Sequence, residues 1–316
     1  MNILASLRYL VSLSEHQHFG RAAQACHITQ PALSNALRAL EAEFGVVIVK
    51  RARQYAGFTP EGERVLVTAQ RMLREHELLQ QDLASEADQP RGRLRIGAVP
   101  TAIPIMARFA AWLQARHPGI RPAVLSLSSP EIENGLDALT LDLGLGYTDR
   151  LGRQSGVRVL PQYSEQYFLV RRARQPAAPG SVGMRRGEPM PWVEAAALPM
   201  CLLTPEMHNR SIVDSAFALA GAEVTPVIET NSILTLSLSV VAGEVCSVLP
   251  GALVGAALGY AELEAHPLIS PEVRTPIGFM LTQVERPSRA LAAALALAQD
   301  PEWLAHAAAH SGALGA

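Results

Sequence analysis

The chain has 316 residues, 49% of them apolar and 18% charged, with a formal net charge of -2. That length leaves room for about two or three domains, and that composition supports a sizeable core, which excludes a disordered or low-complexity chain. A charge so near zero excludes a uniformly basic nucleic-acid wrapper, so any positive surface is local: residues 1–62 carry six Lys or Arg against four acidic residues, and residues 63–91 four against six.

Cys26, Cys201 and Cys246 are odd in number and far apart. No disulfide framework or metal-ligand spacing is visible, and a reducing cytoplasm is the expected compartment. No basic segment leads into an apolar run at the N-terminus, so no signal peptide is expected. The apolar stretch from Leu234 to Leu258 is broken by Glu244 and Pro250, which reads as buried helix, turn and strand rather than a membrane span.

The first predicted element is an amphipathic helix on Ile3, Leu7, Leu10 and Val11. A second short helix is predicted from Arg21 to Cys26, with Gly20 as its N-cap. The third is the most informative. Thr29 is a good N-cap, Pro31 sits in the first turn where its missing N–H costs nothing, and the helix runs from Gln30 to Phe44 before Gly45. Leu33, Leu37 and Leu40 form its apolar back; Ser34, Asn35 and Arg38 lie on the other side. A short helix with a polar, hydrogen-bonding front suits a reader of the DNA major groove. Residues 46–49, the bases Lys50, Arg51 and Arg53, Gly57, and the run Phe58-Thr59-Pro60-Glu61-Gly62 have the chemistry of a hairpin wing.

Thr59-Pro60-Glu61 also starts the next helix, a long one that continues without Gly or Pro from Glu63 to about Ala87. Val65, Met72 and Leu79 recur at seven, flanked by Leu66, Ala69, Leu73, His76 and Leu83, which suggests a two-helix dimer seam. Residues 88–92 form a linker. Beyond it, strands are predicted at 93–99, 124–127, 141–147, 166–172, 200–203, 227–229 and 245–249. Helices are predicted at 104–117, 130–139, 210–220 and 232–242. Alternation of this kind predicts open α/β sheets with mainly parallel strands. The chain is expected to cross between two halves near Tyr163 and again near His266.

Residues 1 to about 90 resemble the N-terminal domain of LysR-type transcriptional regulators. The fragments Leu7-Arg8-Tyr9-Leu10, Phe19-Gly20-Arg21-Ala22-Ala23, Thr29-Gln30-Pro31-Ala32-Leu33-Ser34, Leu40-Glu41 and Phe58-Thr59-Pro60-Glu61-Gly62 carry the resemblance, in the family's order and spacing. Gly92-Arg93-Leu94-Arg95-Ile96-Gly97, Leu141-Asp142-Leu143-Gly144-Leu145, and Val240-Val241-Ala242-Gly243 through Val248-Leu249-Pro250 extend it more loosely over the rest of the chain. The resemblance implies an α/β protein with an N-terminal winged helix-turn-helix at 1–62 and a linker and dimerisation helix at 63–88. It implies a two-lobed effector domain at 92–316, similar to periplasmic binding proteins, with lobe I at 92–163 and 267–316 and lobe II at 164–266. It also implies a homodimer or homotetramer on double-stranded promoter DNA, a small co-inducer, and RNA polymerase as a further partner. Asn35 and Val49 depart from the family's common residues at their positions, which leaves the base preference open. The cysteine pair typical of the family's peroxide sensors has no counterpart, since Cys201 has no partner a few residues away.

The DNA-contacting candidates are Gln30, Ser34 and Arg38, with Thr29, Pro31, Ala32 and Asn35 beside them; Gln and Arg suit bidentate contacts to A and G. Lys50, Arg51 and Arg53 are candidates for holding the phosphate backbone. The ordinary alternative is a capping Gln, a solvated Arg and a charged loop.

The effector candidates lie where predicted strands run into helices. Thr101, Ala102 and Ile103 offer free N–H groups and a hydroxyl, which favour an anion. Thr204 and His208, then Asn231 and Ser232, repeat the pattern, with Tyr147 and Cys246 as wall residues; for Cys201 and Cys246 the alternative is a buried small hydrophobe. For the Thr, Asn and Ser residues the alternative is plain N-capping. These donors point to a small organic anion, with no cofactor and no metal; His16, His18, His27 and Cys26 lack acceptable ligand spacing. No catalytic constellation appears, so a non-enzymatic regulator is the reading. A solute-binding protein or a DNA-tethered enzyme of the same two-lobed fold are the alternatives.

Overall fold

The computed structural model describes residues 2–50, 55–85, 89–150, 156–173, 183–283 and 286–311. The chain divides into two compact units, one of residues 1–86 with 137–140, the other of 87–136 and 141–316.

In the first unit, each helix starts at a residue whose side chain accepts from the orphan amides. Asn2 caps α1 (Ile3–His16) by accepting from Ala5 N at 3.1 Å. The second helix, α2 (Phe19–Ala25), is capped by His18, whose Nδ1 accepts from Gly20 N and Arg21 N at 3.1 and 3.3 Å. This corrects the expected Gly20 cap: glycine has no side-chain acceptor, and Gly20 is already the second helical residue. Thr29 caps α3 (Gln30–Phe44), which ends at Gly45 with φ +67°. Thr59 caps α4 (Pro60–Ala84) through Gly62 N at 2.9 Å, the start expected from Thr59-Pro60-Glu61, and the helix ends about three residues before the expected Ala87.

Leu7, Leu10, Leu13, Leu33, Leu37, Leu40, Ile48, Phe58 and Leu66 form one core under these helices. Between α3 and α4 the chain makes an antiparallel bridge, Val49 to Phe58, with Lys50 N donating to Gly57 O and Thr59 N to Ile48 O. Gly62 is required here: a Cβ would stand 2.1 Å from the Ile48 carbonyl oxygen.

The second unit opens with β1 (Gly92–Ala98), a short helical turn (Pro100–Ala102), α5 (Ile103–Arg116), β2 (Ile120–Ser126), α6 (Ser129–Asp137), β3 (Leu143–Tyr147) and β4 (Val157–Glu165). It continues with β5 (Tyr167–Arg172), β6 (Arg185–Arg186), β7 (Met190–Pro191), α7 (Trp192–Ala195), β8 (Cys201–Leu203), α8 (His208–Leu219), β9 (Ile228–Thr230), α9 (Ile233–Ala242), β10 (Ser247–Pro250) and α10 (Gly251–Ala256). It closes with β11 (Leu263–Ile269), β12 (Thr275–Thr282), α11 (Arg289–Ala298) and α12 (Pro301–His310).

One sheet has the order β2-β1-β3-β12-β4, a second β10-β5-β11-β6 with β7 beside β11, and β8 pairs with β9. Each of the two larger sheets packs its own apolar layer, so the unit has two lobes.

The expectation of mainly parallel strands gives way to mixed sheets. The β1–β2, β1–β3, β8–β9, β11–β6 and β11–β7 ladders are parallel, but β12 is antiparallel to both β3 and β4, and β5 to both β10 and β11. The cause is the double crossing. The chain leaves the first sheet at Gln166 and returns between Ile269 and Thr275, so each lobe receives strands running against its own direction. The expected change of lobe at 266/267 falls inside β11, whose pairing with β7 continues to Ile269. Gln162 on β4 pins the C-terminal helices: its Oε1 accepts from Trp303 Nε1 at 2.7 Å and its Nε2 donates to Ala298 O at 2.9 Å.

Candidate functional site

The front of α3 follows from its period. With Leu33, Leu37 and Leu40 buried, Thr29, Gln30, Pro31, Ala32, Asn35 and Arg38 are left exposed and Ser34 half-buried. Arg38 Nη1 donates to Asn35 Oδ1 at 3.1 Å, one turn away, which aligns the guanidinium along the helix. Ser34, Arg38, Glu41, Val49 and Lys50 line one groove with Phe19 and Leu37, about 410 Å³ in volume. Glu41 would repel a phosphate if free. Instead its Oε1 accepts from Ile48 N at 2.8 Å and Val49 N at 3.1 Å, tying the carboxylate to the strand that leads into Lys50. Arg51 and Arg53 lie outside the described residues.

In the second unit, Thr101 is buried in the turn after β1, and its Oγ1 lies 2.8 Å from the phenol oxygen of Tyr147 at the end of β3. The same phenol oxygen accepts from Asn209 Nδ2 at 3.2 Å. Thr101 and Tyr147 belong to the first lobe and Asn209 to α8 of the second, so these three side chains bridge the lobes. The His208 ring meets Tyr147 edge to face at 4.8 Å, its Nδ1 is 3.3 Å from Arg150 Nη1, and its Nε2 has no hydrogen-bond partner. Burial, then the Arg150 charge, push the His208 pKa down, which favours the neutral ring. Ser129 Oγ, buried at the start of α6, is also without a partner.

Thr101, Tyr147 and His208 are therefore brought together, with buried Ala102 and half-buried Ile103 supporting Thr101. Thr204 is half-buried between β8 and α8, its N–H donating to Thr230 O at 3.0 Å. Asn231 is exposed, and Ser232 is the N-cap of α9, accepting from Thr235 N at 3.3 Å. Cys246 is corrected as a wall residue. Its side chain packs in the core of the second lobe with Tyr167, Met200 and Val248, because the bridge it makes with Met200 just before β10 sets it on the same buried face. Cys201 packs in a different apolar cluster, with Phe168, Leu203 and Val240.

Asn209, Ser129, Tyr167 and Glu165 are not among the residues expected at the site, and Tyr163 is expected only as the place of a lobe crossing. Asn209 and Ser129 carry a usable signal, a polar residue opening a helix after a strand. Tyr163, Tyr167 and Glu165 lie on β4 and β5 at that first crossing, which the sequence pattern places near Tyr163 without indicating which side chains it buries. Glu165 is fully buried, its Oε1 accepting from Tyr163 OH at 3.4 Å and its Oε2 without a partner. Burial pushes its pKa up to about 8. Tyr147 and Tyr163 are raised by burial and then by the neighbouring Glu165.

Comparison with known proteins matches both units. Residues 4–63 fit the family "Bacterial regulatory helix-turn-helix protein, lysR family", and residues 87–301 fit "LysR substrate binding domain". The chain is 30% identical over 288 residues to the DNA-binding transcriptional dual regulator OxyR of Escherichia coli K12, covering 89% of each chain. A full-length OxyR variant from Pseudomonas aeruginosa superposes with a TM-score of 0.64 at 25% identity, covering 96% of each chain. CbnR in complex with its target DNA shares the fold, with a TM-score of 0.66 at 20% identity, over 96% of this chain and 99% of that one. The winged reader, the two-lobed domain and these matches identify the chain as a member of the LysR family of DNA-binding transcriptional regulators.

Proposed function

We propose that α3 reads promoter DNA through Gln30, Ser34, Asn35 and Arg38, that Lys50 holds the adjacent backbone, and that a small organic anion between the lobes sets DNA occupancy. The observation that carries the effector half is the Thr101–Tyr147–Asn209 bridge, with the His208 ring packed on Tyr147 and its Nε2, without a hydrogen bond, 3.9 Å from Asp149 Oδ1. Hydroxyls, an amide, an imidazole and Arg150 form a donor-rich set that suits a carboxylate.

The exposed Met72, Leu79 and Leu83 on α4 suit pairing with a second copy, and a dimer would present two α3 helices to an inverted repeat. RNA polymerase is the further partner of such a complex. No helix among the described residues is long and apolar enough to cross a membrane. A cytoplasmic regulator without catalysis is the reading that fits the DNA-reading unit.

The curated relatives named as hydrogen peroxide-inducible activators raise thiol oxidation as a second signal. Burial raises the pKa of Cys201, opposite to what a peroxide-reactive thiolate needs. The test is a thermal-shift and operator-binding screen of the full chain with small organic acids. At least one acid should raise Tm and change operator affinity, and Tyr147→Phe should reduce both effects. Absence of any stabilisation across the panel would overturn the effector reading.

A further inference from the structure

Both inter-lobe crossings meet at one residue pair. Glu165 is the last residue of β4 and Thr275 the first of β12, and they face each other in register. Two residues after Glu165, Tyr167 begins β5, and its phenol oxygen lies 3.0 Å from Thr275 Oγ1. Within this joint Glu165 is a carboxyl with no exposure, one weak hydrogen bond and one partnerless oxygen.

We propose that Glu165 is a proton-linked latch at the hinge, neutral while the lobes are joined as in this structure and ionised when they part. The switch does not depend on which ligand enters the crevice.

Among the described residues the surroundings supply no countercharge. The titratable groups acting around Glu165 are phenols: Tyr147 from β3, Tyr163 from β4 and Tyr167 from β5. Asp149, after β3, adds a further negative charge acting on Tyr167. From α8, His208 packs on Tyr147 with its pKa lowered, and is therefore a poor cation. Arg274, before β12, is exposed and its guanidinium donates to Glu272 Oε1 at 2.6 and 2.9 Å. A carboxylate buried among phenols without a cation is strongly disfavoured, so the joined state keeps the proton.

The sign follows from that imbalance. The joined lobes hold the carboxyl at about 8, against an ordinary 4.5 once water reaches it. The joined state therefore binds the extra proton. Its advantage is fully present below the ordinary carboxyl value and is lost as pH rises through about 8.

The test uses the full chain with Cys26→Ser, Glu194→Cys on the second lobe and Ala308→Cys on the first, labelled for energy transfer and diluted into unlabelled chain. Between about pH 5 and about pH 9.5, transfer efficiency should change in one transition that falls between the ordinary and the raised carboxyl values. Glu165→Gln, which cannot ionise, should abolish the transition. Tyr163→Phe removes the hydrogen bond that, among the described residues, favours the carboxylate, so the midpoint should move to higher pH.

Infrared spectra of the wild-type chain should show a carboxylic-acid carbonyl band at neutral pH that disappears over the same range. This readout stands even where Glu165→Gln does not fold. A pH-independent transfer efficiency in the wild-type chain, an unchanged transition in Glu165→Gln, or absence of the carboxylic-acid band would each overturn the latch.

Discussion

Glu41 Oε1 accepts two consecutive backbone amides, Ile48 N at 2.8 Å and Val49 N at 3.1 Å. One carboxylate on the last turns of α3 thus fixes the start of the wing relative to the helix expected to enter the groove. Glu41→Ala leaves both half-buried amides without their acceptor, a loss of about 1–3 kcal/mol. The expected outcome is a lower Tm and weaker operator binding with helical content retained, read by circular dichroism and fluorescence anisotropy. Glu41→Gln keeps an oxygen acceptor and should lose less. Equal losses for the two variants would count against the tether.

Arg38 and Lys50 line the same groove but should fail differently. Arg38→Ala removes a side chain suited to a base edge, so it should cost about 1–3 kcal/mol on the preferred operator and flatten discrimination between operators. Lys50→Ala should weaken all sequences alike and reduce the slope of log affinity against log salt by about 1. Titrations on matched and scrambled duplexes at several salt concentrations separate the two. Identical behaviour of the variants would mean that the base and phosphate assignments are wrong.

The first unit was legible in the sequence because its determinants are local. Thr29, Pro31 and Gly45 bound α3 by their own backbone chemistry, and the Leu33, Leu37, Leu40 stripe tells which side is free. The exception, His18 in place of Gly20, is an acceptor that composition-based capping preferences rank low. The second unit was less legible because its organisation is long-range. Glu165 faces Thr275 across 110 positions of chain, and neither residue has a local signal for that pairing. Thr101 and Tyr147 stand at strand ends, where such folds open onto a crevice, and they meet across 46 positions of chain; Ser232 fits the same local pattern and caps α9.

Tyr147 holds one hydroxyl and one amide by a single oxygen. Tyr147→Phe keeps the ring on His208 but leaves Thr101 Oγ1 and Asn209 Nδ2 buried and unsatisfied. The loss should be about 1–3 kcal/mol, visible as a lower Tm. The double-mutant cycle with Asn209→Ala should show coupling of about 0.5–3 kcal/mol, because both changes break the same inter-lobe bond. Strict additivity would show that Asn209 and Tyr147 do not communicate across the lobes.

The sharpest contrast with the peroxide-named relatives concerns the thiols. Peroxide reacts with thiolate, and thiolate needs a lowered pKa and access. Cys201 has neither: it is fully buried, and burial raises its pKa. Cys246 is a backbone neighbour, its carbonyl accepting from Cys201 N at 2.8 Å, but its side chain is buried in a separate apolar layer, so a bond between the two would need one side chain to leave its layer. Cys26 alone is partly exposed. Treating the native full-length chain with peroxide should therefore modify Cys26 first and leave Cys201 and Cys246 reduced, as read by thiol labelling and mass spectrometry. Operator affinity of a Cys26→Ser chain should be unchanged by the same treatment. A Cys201–Cys246 disulfide formed under native conditions, or a peroxide-dependent change in operator binding that survives Cys26→Ser, would make this chain a thiol sensor after all.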